Sequence, residues 1–298
     1  MNWLMWLLRG WVMQSASQAA MDAVRGAAQD SGKASDSAAS GQEKPTADEE
    51  DTPRPAIVII AALRIEIAPL LASLKHPHHV QGGDFVFHGG FWKGHPVAIV
   101  ESGIGLDRAR RATHAAIDAF NPQWIISAGF AGGLDPALSR GSLILAENVQ
   151  LYGTTQPAIQ LGLSMVSEPA NKIFTGSIVT VPQIVRTTQE KQVVFETTKA
   201  LAAEMETWGV AEACRTRHCR MISIRVISDD AKTNLPPEIM TVSGPTGSVR
   251  AGALVGAILN RPGSVSDLWS LRESALQSSE RLSAFVQSVM PMLLPSKA

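Results

Sequence analysis

The chain has 298 residues, of which 45% are hydrophobic and 18% are charged, and its formal net charge is −1. This balance lacks the basic excess with which proteins neutralise a phosphate backbone, so we expect no nucleic-acid partner. Two cysteines, Cys214 and Cys219, are too few for a disulfide framework, and with the histidines they do not show the spacing of a zinc site. We therefore expect a metal-free protein in a reducing compartment, the cytoplasm.

The N-terminal residues 1–26 contain a cluster of apolar side chains. Leu4, Leu7, Leu8 and Trp11 follow the spacing of one helical face. A charged residue interrupts the cluster before it reaches the ~20 residues that a membrane span requires. Two interpretations stay open: a helix that associates weakly with a membrane surface, and a helix that docks on the main domain or on a second subunit.

A compositional boundary separates this segment from the main domain. Residues 27–55 consist mostly of small and polar residues, which bury too little apolar surface to offset their ordering entropy, and they predict a flexible linker. Residues 56–298 then form the predicted main domain. Within it, the stretch around His76, His78 and His79 is polar and predicts a solvated turn.

Alternating strand and helix patterns run through the main domain. The β-branched run at 56–62 is typical of a central strand that is covered on both faces. In chain order, the predicted elements are a strand at 56–62, a helix at 65–74, a hairpin at 85–100, a helix through 109–120, strands at 124–128 and 176–181, a helix from about 188 to 214, a strand at 221–227 and a helix from about 266 to 292. This alternation predicts a three-layer α/β domain with a mixed central sheet and no internal repeats.

Three carboxylates stand out by their positions. Glu66 and Asp229 follow predicted buried strands, and Glu206 lies in a dense apolar stretch. Since ligands of open α/β sheets bind beyond the carboxyl ends of strands, these side chains are expected to converge on one crevice. The alternative for each of them alone is an ordinary acid on a helix surface, and for Glu204 and Glu206 it is a helix start at which acids favour the dipole.

Glycine-rich turns follow two of the predicted strands, at 102–105 and 129–133. Neither has the three-glycine spacing of a dinucleotide-binding turn, and the sequence contains no phosphate loop. We therefore expect neither a nicotinamide cofactor nor ATP.

The order of five motifs is more specific than any one of them. They are Ile-Ile-Ala-Ala-Leu-Arg-Ile-Glu (59–66), Ser-Gly-Ile-Gly (102–105), Ser-Ala-Gly-Phe-Ala-Gly-Gly-Leu (127–134), Ala-Glu-Met-Glu (203–206) and Arg-Val-Ile-Ser-Asp (225–229). Together they resemble the nucleoside phosphorylase superfamily, and within it the methylthioadenosine/S-adenosylhomocysteine nucleosidases, over about 57 to 290. The segments 132–138 and 260–263 are also similar to the hopanoid-associated phosphorylases, which are thought to cleave adenine from an adenosyl lipid.

The resemblance implies a role for each matched residue. Glu66 would activate the attacking water, Met205 and Glu206 would hold the ribose, and Asp229, oriented by Ser228, would be the acid at the purine ring. The implied catalytic residues are Glu66 and Asp229, and the implied substrate-binding residues are Ile104, Phe130, Ala131, Gly132, Ile184, Val185, Glu204, Met205, Glu206 and Ser228. At Ile184 and Val185 the family's aromatic residue is missing, which weakens base stacking.

The chemistry of N-glycosidic cleavage requires these residue types. A carboxylate near the ribose stabilises the oxocarbenium-like transition state, and adenine leaves only when its N7 is protonated. Asp229 would therefore have to carry a proton near neutral pH, which we expect burial beside apolar strand residues to achieve.

The sequence-based function is hydrolytic release of adenine from a 5′-modified adenosine, without metal or organic cofactor, by a homodimer as the resemblance implies. One alternative is phosphorolysis of a lipid-linked adenosyl compound, and another is a non-catalytic purine-nucleoside binding protein. Water is preferred over phosphate because Arg64 is the one cation expected near the first turn, while Glu66 would repel a dianion. Arg64 has a simpler interpretation as a surface residue.

Overall fold

A ten-stranded mixed sheet organises the part of the chain that the computed structural model describes, residues 54–235 and 265–294. The strands are β1 (Ile57–Ala61), β2 (Lys75–Gly82), β3 (Phe85–Trp92), β4 (His95–Glu101), β5 (Trp124–Gly133), β6 (Leu143–Leu151), β7 (Ile159–Gln160), β8 (Ile173–Thr180), β9 (Ala202–Glu204) and β10 (Arg220–Asp229). The helices are α1 (Arg64–Ala72), α2 (Leu106–Phe120), α3 (Thr188–Thr198), α4 (Thr207–Thr216) and α5 (Val265–Leu293).

The sheet combines an open wing with a closed ring of strands. In the wing, β2, β3, β4, β1 and β5 lie side by side, with β1 parallel to both β4 and β5. Beyond β5, the pairings β5–β10, β10–β6, β6–β8, β8–β9 and β9–β5 close on themselves. Because β5 takes part in the wing and in the ring, its carboxyl end lies where the two parts of the sheet meet. The mixed sheet predicted from the sequence is confirmed.

Helices cover the two faces of the sheet. Ile57 and Ile59 of β1 belong to a core cluster that includes Ile67 of α1 and Val286 of α5. Successive strand residues point to opposite faces, and α2 packs against β1 and α4 with its row of buried alanines. The β-branched strand at 56–62 and the helices predicted through 109–120 and near 266–292 are confirmed as β1, α2 and α5.

One predicted helix is wrong. The sequence indicated a single helix from about 188 to 214, whereas the structure has α3 and α4 with the strand β9 between them. Lys199 ends α3 in the left-handed conformation, with φ of 54°, and its N–H donates to the carbonyl of Phe195. The chain then enters the sheet, where β9 pairs with both β8 and β5, so long-range strand pairing overrides the local helical pattern.

The prediction of a solvated turn around His76, His78 and His79 is also wrong. It forms β2, an edge strand that pairs with β3 and exposes most of its side chains. Edge strands tolerate this polar composition because one of their margins faces water. The strand β6, which belongs to the ring, and the short strand β7, which pairs with β6, were not predicted either.

Several predictions fall on residues outside the described part of the chain. They concern the apolar segment 1–26, nearly all of the linker 27–55 and the hopanoid-like segment 260–263. The proposed domain boundaries therefore stay predictions. Among the described residues, no helix combines the length and the apolar character needed to cross a bilayer.

Candidate active site

A small cavity lies at the carboxyl end of β1 and beside the middle of β5. Three ionisable side chains line it: the carboxyl groups of Glu66 and Glu206 and the guanidinium of Arg225. The remaining lining residues are Ile60, Ala61, Ala62, Ser102, Ser127, Ala128 and Gly129. The convergence of Glu66 and Glu206 at the strand ends agrees with the position expected for ligands of α/β sheets.

Glu66 is buried and fixed by backbone donors. Its Oε1 accepts the N–H of Phe130 at 2.8 Å, and its Oε2 accepts the N–H of Leu63 at 2.8 Å. Burial raises the pKa of this carboxyl above its ordinary value, although the two backbone N–H groups and the Arg225 guanidinium lower it in part. A carboxyl held in this way is suited to taking a proton from a bound water near neutral pH.

The close approach of Glu66 to β5 depends on a glycine. A Cβ at Gly129 would lie 2.9 Å from Oε1 of Glu66 and 3.1 Å from Nη1 of Arg225. Real Cβ atoms do not approach backbone-fixed groups this closely, so any other residue here would push the carboxylate and the guanidinium apart. The glycine-rich stretch 129–133, predicted as a turn after the strand, lies inside β5, and its Gly129 allows the close packing of these charged groups.

Glu206 enters the same cavity from the N-terminus of α4. Its Oε1 accepts the N–H of Gly105 at 2.8 Å, which ties it to the loop between β4 and α2. Burial, together with the neighbouring carboxylates Glu204 and Glu66, raises its pKa to about 8. Glu206 therefore keeps its proton to a higher pH than an ordinary glutamic acid, and in the protonated form its carboxyl group can both donate and accept hydrogen bonds.

Sequence reasoning missed Arg225. This side chain lies inside β10 with 2% of its surface exposed, and its Nη2 donates to Glu204, Ser127 and Thr207 at 2.9, 2.8 and 2.7 Å. An arginine in an otherwise apolar central strand was the available signal, because a buried charge requires partners. Arg225 brings the only positive charge among the side chains that line the cavity in the described structure.

Glu204 acts inside the protein rather than in the cavity. Its Oε2 accepts hydrogen bonds from Arg225 and from both the N–H and the hydroxyl of Thr207, and its Oε1 accepts the hydroxyl of Thr180. These contacts occupy both carboxylate oxygens. The structure therefore gives this predicted substrate-binding residue a supporting position behind Arg225.

Asp229 lies at the end of β10 and does not line the cavity. Its Oδ1 accepts the hydroxyl of Ser228 at 2.6 Å, as the orienting role predicted for Ser228 requires. Its Oδ2 accepts the ammonium of Lys191 at 2.6 Å, and both side chains are buried. The sequence had indicated apolar surroundings for Asp229. The structure corrects this, because α3 places the cation Lys191 against its carboxylate.

A three-residue stretch of β5 connects these two groups of side chains. The N–H of Phe130 binds Glu66, the carbonyl of Ala131 accepts the Ser228 hydroxyl at 3.3 Å, and Gly132 pairs with Asp229 across the sheet. Glu66 and Asp229 therefore contact positions on β5 that are only two residues apart, Phe130 and Gly132. This arrangement brings Phe130, Ala131 and Gly132 together with both predicted catalytic residues.

The other predicted substrate-binding residues lie at the margin of this arrangement. Ile104 is half-buried in the loop directly before Gly105. Val185 and Met205 pack against a core cluster formed by Leu134 and its neighbours, and Ile184 is half-buried in the loop before α3. None of these four side chains lines the described cavity.

The arginine considered for phosphate binding points away from the cavity. The side chain of Arg64 is 67% exposed and lies 3.9 Å from Glu101, so it is a surface residue. The cation that does reach the cavity, Arg225, is the one that the sequence argument had overlooked. Within residues 54–235 and 265–294, no group of three or more His, Cys, Asp or Glu side chains is arranged to hold a metal ion.

Comparison with known proteins agrees with the fold and with the order of the motifs. A model of the phosphorylase superfamily matches residues 56–260, and the chain belongs to this superfamily. A 5′-methylthioadenosine/S-adenosylhomocysteine nucleosidase from Pseudoalteromonas translucida is 28% identical over 233 residues, 70% of this chain and 98% of the relative. The nucleosidase of the same name from Tolumonas auensis is 30% identical over 203 residues, 60% of this chain and 88% of the relative.

Solved structures of such nucleosidases share the fold. The Neisseria meningitidis enzyme in complex with methylthio-immucillin-A aligns with a TM-score of 0.56 and 20% identity, over 78% of this chain and 98% of that one. The Streptococcus pneumoniae enzyme with a transition-state inhibitor aligns with a TM-score of 0.58 and 20% identity, over 78% and 99% of the two chains.

Proposed function

We propose that this chain hydrolyses the N-glycosidic bond of a 5′-modified adenosine of the methylthioadenosine or adenosylhomocysteine type and releases adenine. The observation that carries the proposal is the burial of Glu66 and Glu206 in one cavity beside Arg225, with Asp229 across the same stretch of β5. The curated relatives, which are nucleosidases for these two substrates, support the substrate class.

The carboxyl groups of the cavity suit the ribose half of the reaction. Glu66, with its raised pKa, takes a proton from the attacking water, which Arg225 helps to orient. Glu206 hydrogen-bonds a ribose hydroxyl. As positive charge develops on the ribose, the ionised form of Glu206 becomes more favourable, and the same attraction stabilises the transition state.

Charge balance favours water over phosphate as the nucleophile. Glu66 and Glu206 face the cavity, and the one cation that lines it among the described residues, Arg225, already forms an ion pair with Glu204. A phosphate dianion would enter a region that holds more carboxylates than cations, so its binding would be unfavourable. A neutral water meets no such repulsion.

The base half of the reaction uses the other side of β5. Ser228 and Asp229 lie beside Ala131 and Gly132, where the backbone can approach a flat ring closely. Asp229 delivers a proton to N7 of the leaving adenine. Ile104, Met205, Ile184 and Val185 complete the proposed slot for ribose and base.

A product assay tests this function. The protein is incubated with methylthioadenosine, adenosylhomocysteine and adenosine, each with and without phosphate, and free adenine and the sugar product are measured. We expect adenine and free sugar at a rate that does not depend on phosphate. A ribose 1-phosphate product would favour phosphorolysis of an adenosyl compound, and nucleoside binding without adenine release would favour a non-catalytic binding protein.

We further propose that the enzyme is a cytoplasmic homodimer whose N-terminal segment associates weakly with membrane surfaces. The family resemblance supports the dimer, and the two free cysteines support a reducing compartment. The apolar helical spacing of residues 1–26 supports the membrane contact. Sedimentation and cell fractionation test the first two proposals.

A further inference from the structure

A lysine in the interior of the protein contacts the proposed acid. Lys191 of α3 has none of its surface exposed, and its Nζ lies 2.6 Å from Oδ2 of Asp229. The same Nζ donates to the carbonyls of Asp230 and Thr233 at 2.6 and 2.9 Å. Its three N–H bonds thus have three acceptors, and one of them is the carboxylate on which adenine release depends.

Stability alone does not explain this pair. Removing an ammonium and a carboxylate from water costs free energy that their attraction only partly offsets, and apolar residues of similar volume are often equally stable. The position is on the buried face of α3 with Val194, where a methionine or leucine would fit the core pattern. The charge at position 191 therefore calls for a role in the reaction.

The hydrogen bonds of Asp229 present a chemical problem that Lys191 can solve. Oδ2 accepts from the Lys191 ammonium at 2.6 Å in a buried ion pair, and in this arrangement Asp229 is a carboxylate; the single hydroxyl proton of Ser228 lies between Oδ1 and the carbonyl of Ala131. A carboxylate has no proton to give, yet the proposed reaction needs one at N7. The nearest proton-bearing charged group is Nζ of Lys191.

We propose that Lys191 is the proton source for Asp229 in adenine release, an inference that rests on the proposed nucleosidase function. An N–H bond of Lys191 breaks and an O–H bond forms on Asp229, which converts the ion pair into a neutral amine and a neutral carboxylic acid. As the C1′–N9 bond breaks, its electron pair moves into the purine, N7 takes the proton of Asp229, and the carboxylate returns. The attacking water gives its proton to Glu66. As the products leave, Glu66 releases that proton to solvent and the Lys191 amine takes one up, so the cycle consumes no net proton.

The surroundings of the pair favour this transfer. Both forms of the pair have zero net charge, so the proton moves without creating a net charge in a buried region. The other charged groups near the pair are Asp230, whose Oδ1 accepts from the Thr233 hydroxyl and the Lys232 N–H, and Arg140. Lys191 acts on the substrate only through Asp229 and is a positioning and proton-supplying residue.

Three variants test the coupling between the two residues: Lys191→Met, Asp229→Asn and the double variant. A general acid contributes roughly 10²–10⁴-fold to rate, so we expect each single variant to lower kcat on methylthioadenosine by at least about 10²-fold with little change in KM. The double variant should be no slower than the slower single variant, because the two residues form one relay. It also contains neither buried charge, so it keeps the test valid if Lys191→Met alone does not fold.

The matched control is Lys199→Met, which replaces the exposed lysine that follows the same helix. We expect it to keep the kcat of the unsubstituted protein. Additive losses in the double variant, or an unchanged kcat in Lys191→Met, would overturn the inference.

Chemical rescue separates a proton source from a structural cation. In Lys191→Ala, ethylammonium supplies a charge and a transferable proton, whereas tetramethylammonium supplies the charge alone. We expect ethylammonium to raise kcat at least about 10-fold and tetramethylammonium to have no effect. Equal rescue by both ions, or by neither, would contradict the proton transfer. If the unsubstituted protein releases no adenine, the proposed function fails together with this inference, whereas an active protein without selective rescue refutes the inference alone.

Discussion

Arg225 and Glu204 form an ion pair in the interior, with Nη2 of the arginine 2.9 Å from Oε2 of the glutamate and almost no solvent exposure of either side chain. The pair holds the guanidinium at the cavity between Glu66 and Glu206. Because the partners come from β10 and β9, it also ties together two strands of the closed ring.

Loss of one partner of this pair should destabilise the fold. Glu204→Gln leaves Arg225 buried with a weaker acceptor, and breaking a buried pair from one side costs about 3–5 kcal/mol of unfolding free energy. Urea denaturation measures the change. The control is Glu212→Gln, which breaks a partly exposed ion pair with Arg110 and should cost less than about 1 kcal/mol. Equal effects of the two substitutions would show that the buried pair has no special structural role.

Replacing the proposed base should slow chemistry more than binding. In Glu66→Gln the amide oxygen still accepts one backbone N–H, but the amide cannot take a proton from water. We expect kcat on methylthioadenosine to fall by roughly 10²–10⁴-fold with KM changed by less than about 10-fold. Steady-state kinetics checks this, with the exposed Glu196→Gln as a control. A variant with unchanged kcat would remove Glu66 from the mechanism.

Because of Glu206, the free energy of unfolding should fall as pH rises. Its pKa is raised from the ordinary 4.5 to about 8 in the folded state, so the folded protein binds this proton more tightly than the unfolded chain. The resulting stabilisation is complete below about pH 4.5 and is lost as pH rises through about 8. Urea unfolding at about pH 5 and about pH 8.5 should therefore show a larger fall for the unsubstituted protein than for Glu206→Gln.

The difference between the two proteins measures the contribution of Glu206, since every other titratable group is present in both. Identical falls in the unfolding free energy would mean that Glu206 has an ordinary pKa in the folded state. The same variant should also show a lower kcat on methylthioadenosine, because an amide cannot take the ionised form that stabilises the positive charge developing on the ribose.

Removal of residues 1–54 should leave adenine release intact. The core of the main domain begins at Ile57 of β1, and the backbone carbonyl of Ala56 accepts the N–H groups of Gln123 and Trp124, so truncation before Pro55 keeps these contacts. We expect kcat/KM within about 3-fold of the full chain, since no residue of the proposed site is lost.

The same truncation tests the membrane proposal. The full chain should float with anionic vesicles in a density gradient, and the truncated chain should remain at the bottom. If the two behave alike, residues 1–26 do not bind membranes, and the alternative of docking on the domain or on a second subunit is favoured.

The sequence by itself determined the framework of the domain and its superfamily, and it predicted Glu66, Glu206 and Asp229 as site residues. The short β-branched run of β1 and the helically spaced alanines of α2 predicted their elements correctly, and the order of the five motifs was sufficient for the superfamily. Glu66 and Glu206 were recognised because they follow or interrupt apolar stretches, a feature that can be read along the chain.

The tertiary structure decided which charged groups meet. The helix predicted over 188–214 is divided because β9 finds partners in β8 and β5, and strand pairing across the sheet leaves no local signal. Arg225 reaches Glu204, and Lys191 reaches Asp229 from 38 residues away, only because separate elements pack against each other. Hydrophobic periodicity records which face of an element is buried, but a buried charge finds its partner through the arrangement of elements in space, and that arrangement exists only in the folded chain.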